Sequence, residues 1–158
     1  MNLKLLMILL IAFCGSSTSV CVKRSPLQNE FKNKLYYFES DYKASWFNAF
    51  VACRNMGMEL LSIDSDEEFD KIHEFVKEKM NYRNGLTIWT SGVMKQKGQF
   101  IWINTGNPVT LSKWWSGTPN NYGGHEFCMH VWLKHKQFLL NDAECQMESY
   151  YICESRKI

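Results

Sequence analysis

The sequence predicts one α+β domain. Two stretches with helical periodicity lie in the amino-terminal half, at 45–56 and 64–80. Short apolar and aromatic runs bounded by Gly, Asn and Pro fill most of the remainder and read as strands. Between them, residues 109–125 carry no convincing element, and a loop of that length inside a small domain is often functional.

The whole-chain properties agree with a single unit. A chain of 158 residues carrying a formal charge of +2 is the size of one domain. No Lys/Arg stripe marks a nucleic-acid partner, and Lys134-His135-Lys136 is too small to serve as one. Six tryptophans, seven tyrosines and ten phenylalanines are enough for a substantial core with aromatic surface left over. There is no internal repeat and no heptad run.

The first residues are expected to be removed. Lys4 gives a positive start, residues 5–13 an apolar run, and residues 15–19 a small polar end. This is the pattern of a secretory signal peptide over 1–19, too short to span a bilayer. A lead at 20–30 and a folded domain over 31–158 come after it, secreted to the extracellular side without membrane insertion.

Secretion sets how the cysteines are read. Cys14 leaves with the leader; Cys21, Cys53, Cys128, Cys145 and Cys153 remain. In an oxidising compartment four of these are expected in disulfides. The last four allow three connectivities, and the sequence does not choose among them. Cys21 is the odd one: it leaves with the leader, stays free, or pairs with another chain to make a disulfide-linked dimer.

Residues 22–33 are charged and polar, and read as a lead-in without regular structure. Leu35-Tyr36-Tyr37-Phe38-Glu39 is the first strand, and residues 40–43 a turn. Ser45 caps a helix whose buried face is Trp46, Ala49, Phe50, Cys53 and Met56, and Gly57 ends it. Residues 59–63 are a strand or an extended connector. Ser65 with Glu68 fits a capping box for the second helix, whose stripe is Phe69, Ile72, Val76 and Met80 with Phe75 beside it. Asp66, Glu67 and Glu68 at its start and Lys77 and Lys79 at its end suit the helix dipole, which is a stability device. Further strands are expected at 86–90, 100–103, 127–133, 137–140 and 149–153.

The chemistry-bearing residues are oxygen donors in the carboxy-terminal half. Calcium takes about six to eight oxygens from carboxylates, carbonyl groups and water. The chain offers an amide at Asn120, a carboxylate at Glu126, and an amide with a carboxylate at Asn141-Asp142, closed off by Cys128 and Cys145.

These residues, in this order, resemble a C-type lectin domain over roughly residues 31–154. Ile88-Trp89-Thr90-Ser91-Gly92 sits where the family has its Trp-Ile-Gly core. Trp114-Trp115-Ser116-Gly117-Thr118-Pro119-Asn120 looks like the segment ending in Glu-Pro-Asn, and Leu140-Asn141-Asp142-Ala143-Glu144-Cys145 like the Trp-Asn-Asp segment ending in cysteine. The chain is similar in form to short secreted arthropod members. The resemblance implies two helices with small antiparallel sheets and a long loop region. It also implies the pairings Cys53 with Cys153 and Cys128 with Cys145. Cross-links closing loops of 15 and 100 residues are worth about 3 and about 4.7 kcal/mol in the loop-entropy account.

By the same resemblance a calcium site falls at Thr118, Asn120, Glu126, Asn141 and Asp142. Two sugar hydroxyls would complete the ion's shell and bond with Asn120, Glu126 and Asn141, with Tyr122 as a stacking ring. Asn after the proline goes with mannose- or glucose-type glycans in the family. The chain departs at Thr118, where the family has Glu or Gln, and at Leu140, where it has Trp. A hydroxyl is a shorter, uncharged ligand, so these departures favour a second reading: a calcium-independent module that binds a protein or other surface.

Each of these residues also has a plainer use. Oxygen-rich loops are often solvated turns, and Asn141-Asp142 can serve by satisfying backbone donors in a turn. Trp89, Trp102 and Trp114 are expected in the core, Trp115 and Tyr122 at the surface. His125-Glu126 is followed by His130 five positions on, whereas the zinc-protease helix needs its second histidine at four. No nucleophile, base and orienter stand out, so no enzyme is expected.

Overall fold

The computed structural model describes residues 29–80 and 84–156. The expected leader, Cys14 and Cys21 lie outside those residues.

The chain runs β1 (Asn29–Phe31), β2 (Lys34–Ala44), α1 (Trp46–Asn55), β3 (Glu59–Leu60), α2 (Asp66–Met80), β4 (Leu86–Gln96), β5 (Gln99–Trp102), β6 (Glu126–Lys134), β7 (Gln137–Glu144) and β8 (Ser149–Arg156). The expected α+β class is found, but the small sheets join into one of eight strands. Its order is β1-β2-β8-β4-β6-β7, with β3 on β8 and β5 on β4. The β4–β8 pairing is parallel, Ile88 opposite Tyr150 and Trp89 opposite Tyr151, so the sheet is mixed.

Side chains on a strand alternate between faces, and here the alternation sorts the helices. Ile88, Val131 and Ile152 join the cluster under α2, with Phe69, Ile72, Phe75 and Val76. Their neighbours Trp89, Tyr151 and Cys153 join the cluster under α1, with Ala49 and Cys53. The two helices therefore cover opposite faces. Ser45 accepts from the Asn48 N–H at 3.5 Å, and the turn after α1 uses Gly57 at φ +69°, where a side chain would be strained. Cys53 on α1 is bonded to Cys153 on β8, and Cys128 on β6 to Cys145 just past β7.

Three local expectations change. The lead-in ends in a strand, β1, paired to β2. The turn expected at 40–43 is instead a break in the β2–β8 register between Glu39 and Ala44. Within the break Glu39 Oε1 accepts the Asp41 N–H at 3.1 Å and the Tyr42 N–H at 3.4 Å, donors that the ladder leaves unpaired there. The strand expected to end at Leu140 runs on to Glu144, so Asn141 and Asp142 are held by a ladder rather than a turn.

Glu68 does more than cap α2. Its N–H donates to Ser65 Oγ at 3.2 Å, and its Oε2 accepts the Asp64 N–H at 2.7 Å. Its Oε1 accepts from Lys34 Nζ at 2.8 Å and the Tyr36 hydroxyl at 2.6 Å. Lys34 is buried and also meets Asp64 at 2.9 Å and Glu154 at 3.1 Å. One ammonium thus ties α2 to β2 and β8. Burial pulls the Lys34 pKa down, but the carboxylates around it carry it above its ordinary value.

Glu154 is the costly member. Burial outweighs the attraction of Lys34 and pushes its carboxyl up to about 7. Above the ordinary carboxylate range the unfolded chain has released this proton while the folded protein still holds it, so stability falls as pH rises from that range towards 7. We predict that Glu154→Gln removes this slope. In urea denaturation, wild type should lose ground to the variant by on the order of 1–3 kcal/mol between pH 4.5 and 7.5. A difference that does not change with pH would contradict it.

Candidate functional site

The long loop after β5 is anchored before it reaches the site. Leu111 is buried in the core, and Trp114 donates its indole N–H to the Leu111 carbonyl at 3.0 Å. Leu140 replaces the expected tryptophan and does its work with backbone: its N–H donates to Lys113 O at 2.8 Å, and its carbonyl accepts the Trp115 N–H at 3.0 Å. The loop therefore enters the site region already bonded to β7. Thr118-Pro119 is a cis peptide bond.

Asp142 organises the segment after that bond. It is fully buried on β7. Its Oδ2 accepts the Asn120 N–H at 2.9 Å and the Asn121 N–H at 2.6 Å. Asn121, at φ +47°, passes the contact on: its Oδ1 accepts the Glu126 N–H at 2.8 Å. Glu126 Oε2 in turn accepts the Tyr122 N–H at 2.8 Å. A chain of backbone donors and side-chain acceptors thus closes residues 120–126 onto the strand. Gly123 within it sits at φ +66°, where a side chain would be strained.

Two carboxylates meet here. The Glu126 carboxyl is raised above the ordinary carboxylate range, chiefly by burial; the Tyr122 N–H opposes that and the Asp142 charge adds to it. Asp142 Oδ1 is sealed from solvent and accepts no hydrogen bond. Such a buried charged oxygen costs free energy unless something positive faces it. That orphaned oxygen, next to a raised carboxylate, is what a divalent cation would satisfy.

The neighbouring amide is also oriented. Asn141 Nδ2 donates to the Asp142 carbonyl and lies 3.1 Å from His130 Nε2, across the β6–β7 ladder. His130 is buried and neutral, its pKa lowered to about 3 by burial. Asn141 Nδ2 is therefore spent on His130 and the Asp142 carbonyl, and its Oδ1 is the atom of the amide that these contacts do not use.

Of the five expected ligands, Asn120 is bound through its backbone N–H to Asp142, Glu126 is tied to the same turn through Tyr122 and Asn121, and Asn141 precedes Asp142 on β7. Thr118 is close in the chain, but its hydroxyl donates to the Trp115 carbonyl at 2.8 Å, leaving only its lone pairs for an ion. Tyr122 is exposed. Trp115 is half-buried, with its indole N–H on Trp132 O at 3.3 Å. His125 pairs with Glu144 at 3.0 Å, so the two histidines that frame Glu126 serve different partners. Among the described residues no group of three or more His, Cys, Asp or Glu side chains could hold a metal. A calcium shell also draws on amide, hydroxyl and carbonyl oxygens, so two carboxylates with two amides remain a fit, with Thr118 as the weak position.

Sequence reasoning missed Asn121 and His130. Asn121 carried a signal, since Asn tolerates the left-handed region and precedes two glycines. His130 carried none; only the register places it opposite Asn141.

The family model for the Lectin C-type domain matches residues 42–155. Salivary C-type lectin 2 of Aedes albopictus is 29% identical over 154 residues, which is 94% of this chain and 98% of that one. C-type lectin 37Da of Drosophila melanogaster is 32% identical over 133 residues, 79% of this chain and 70% of that one. The structure of the C-type lectin domain of murine dendritic cell inhibitory receptor 2 in complex with N-glycan matches with a TM-score of 0.70 at 26% identity, covering 82% of this chain and 96% of that one. A calcium-independent type II antifreeze protein matches with a TM-score of 0.67 at 25% identity, over 83% and 92%.

Asp142→Ala should free residues 120–126 even in chelator, where no cation contributes. We expect a loss of about 2–4 kcal/mol in urea denaturation, the worth of two hydrogen bonds to a buried carboxylate. Asp142→Asn keeps one acceptor and should lose about half as much. Equal stability of Asp142→Ala and wild type would contradict this role.

Proposed function

The chain belongs to the C-type lectin domain family, and we propose that it is a secreted calcium-dependent binder of mannose- or glucose-type glycans. Its carbohydrate-recognition fold, its non-catalytic class and its extracellular setting follow from the family. The calcium step, the sugar class and the site residues are the proposal. The observation that carries it is Asp142 Oδ1, buried and without a hydrogen-bond partner, while Oδ2 of the same carboxylate pins Asn120 and Asn121.

Asp142, Glu126, Asn120 and Asn141 would hold the ion, with Thr118 contributing its hydroxyl oxygen. A bound calcium supplies open coordination positions for two neighbouring sugar hydroxyls. The chain's own part is orientation. Asn141 presents its oxygen because His130 and the Asp142 carbonyl take its nitrogen. Glu126 keeps one carboxylate oxygen beyond the Tyr122 contact for a hydroxyl donor. Tyr122, exposed at 77%, offers a ring to the apolar face of a sugar. Single sugars would bind weakly, and multivalent microbial or host surfaces would supply avidity.

The wider proposal keeps the leader at 1–19, the lead at 20–30 and the domain at 31–158, with Cys21, if retained, free or linking two chains. Nucleic acid is not among the proposed partners, and no described helix is long and apolar enough to cross a membrane. A second reading is a calcium-independent module that binds a protein or other surface. The hydroxyl of Thr118, spent on Trp115, favours it, as does the likeness to the calcium-independent antifreeze protein.

Calorimetry on the mature, oxidised protein separates the two. Calcium should bind with a Kd of about 0.1–1 mM, the range of extracellular modules, and raise the melting temperature. Thr118→Glu adds a third carboxylate and should tighten calcium by about threefold or more. Absence of heat and of thermal stabilisation at millimolar calcium would sink the metal-dependent reading and leave the second.

A further inference from the structure

The two helices meet solvent differently. Every exposed position of α2, from Asp66 to Lys79, is charged. The exposed positions of α1 are Phe47, Asn48, Val51, Arg54 and Asn55. Phe47 is 64% exposed and Val51 37%, and four positions apart on a helix they lie on one side. Half-buried Phe50 borders them. Arg54 completes the row, but its charge is spent: the guanidinium pairs with Glu59 and lies 5.5 Å from the centre of the Phe50 ring. α1 thus buries Ala49 and Cys53 on the sheet and carries apolar side chains outward as well. A helix that is apolar on both sides is normally covered on both.

We propose that this outer face of α1 is the contact surface for a second copy of this chain, packed about a two-fold axis. The inference is independent of the cation and glycan reading. Three features fit that occupant. The face is neutral, with its one charge already paired, so two identical faces meet without like-charge repulsion. Its apolar area is small, on the order of 200 Å² from Phe47 and Val51, against about 800 Å² per partner in a stable complex. The contact alone is therefore weak and needs a tether, and the odd cysteine is placed to supply one. β1 runs antiparallel to β2 with Asn29 opposite Tyr36, so the chain enters β1 from the side where β2 ends and α1 begins. Cys21 lies eight residues before Asn29, a reach of at most about 28 Å, which matches the eight residues of β2 from Tyr36 to Ala44. Copies that meet on α1 thereby bring two Cys21 thiols within range of each other. A link between them raises the effective concentration of the two faces to about 1 mM.

The test uses Cys21→Ser in the mature, oxidised chain, which separates the face from the tether. Sedimentation should show association with a Kd on the order of 0.1–1 mM and monomer at about 0.02 mM. Phe47→Glu in that background should stay monomeric throughout, with an unchanged melting temperature, because the side chain it replaces is mostly exposed. A trapping arm places a cysteine on each helix. Val51→Cys should form oxidised dimer about tenfold faster than Glu74→Cys, and adding Phe47→Glu should erase the difference. Equal trapping rates, or association that survives Phe47→Glu, overturn the proposal. So does a monomer whose melting temperature falls in Phe47→Glu, which assigns the face to the chain's own lead at 20–28. A monomer that binds phosphatidylcholine vesicles through Phe47 assigns the face to a lipid surface and overturns it too.

Discussion

The site depends on one carboxylate. Asp142 sits on a strand, with no exposure to solvent, and its Oδ2 receives two consecutive backbone N–H groups from the loop. Burying a charge is expensive, and hydrogen bonds from fixed donors offset part of that cost. Those same bonds convert a Gly- and Asn-rich segment into a defined shape. The left-handed turn at Asn121, its bond to the Glu126 backbone, and the return of the Glu126 side chain to Tyr122 all depend on it. The other oxygen of Asp142 is left over, and it is the reason to look for a cation.

The rest of the fold keeps Asp142 where it is. The Cys128–Cys145 bridge joins β6 to the residue just past β7, one position beyond the end of the ladder that carries Asp142. Leu140 bonds the long loop to the same strand on both its backbone groups. Further away, Cys53–Cys153 and the Lys34 ammonium fasten the helices to β8 and β2. The Lys34 cluster contributes position at an electrostatic cost, since Glu154 is forced above its ordinary range by burial. Such clusters are weak stabilisers compared with apolar packing, and the α2 stripe of Phe69, Ile72 and Val76 carries the packing on that side.

Much of this was legible in the residues. Ser45 and Ser65 announced the helix starts, and the spacing of Phe69, Ile72, Val76 and Met80 gave the buried face of α2, because capping and periodicity are local. The cysteine pairing and the candidate oxygen donors came through the family resemblance rather than through spacing alone. What the sequence hid is non-local. Lys34 reads as a surface charge until Glu68 and Glu154 are brought around it from 34 and 120 positions away. Asn141 and Asp142 read as turn residues because their types favour turns, yet the β6 ladder overrides that preference. The plainer use of Asp142 also proved half right: one oxygen does satisfy backbone donors, and the other does not.

The departures from the family pattern weigh differently once the contacts are known. Leu140 loses an indole but keeps the backbone bonds that anchor the loop, so it leaves the site's geometry intact. Thr118 brings no charge where the family has Glu or Gln, and it turns its hydroxyl to Trp115. The central claim is that the orphaned oxygen of Asp142 and its three neighbours form one cation site. Nuclear magnetic resonance of the ¹⁵N-labelled protein during calcium titration tests it most directly. A single shared site predicts that the Asn120, Glu126, Asn141 and Asp142 signals move together along one binding curve. Signals that stay still at millimolar calcium, or that shift only elsewhere in the chain, would contradict it.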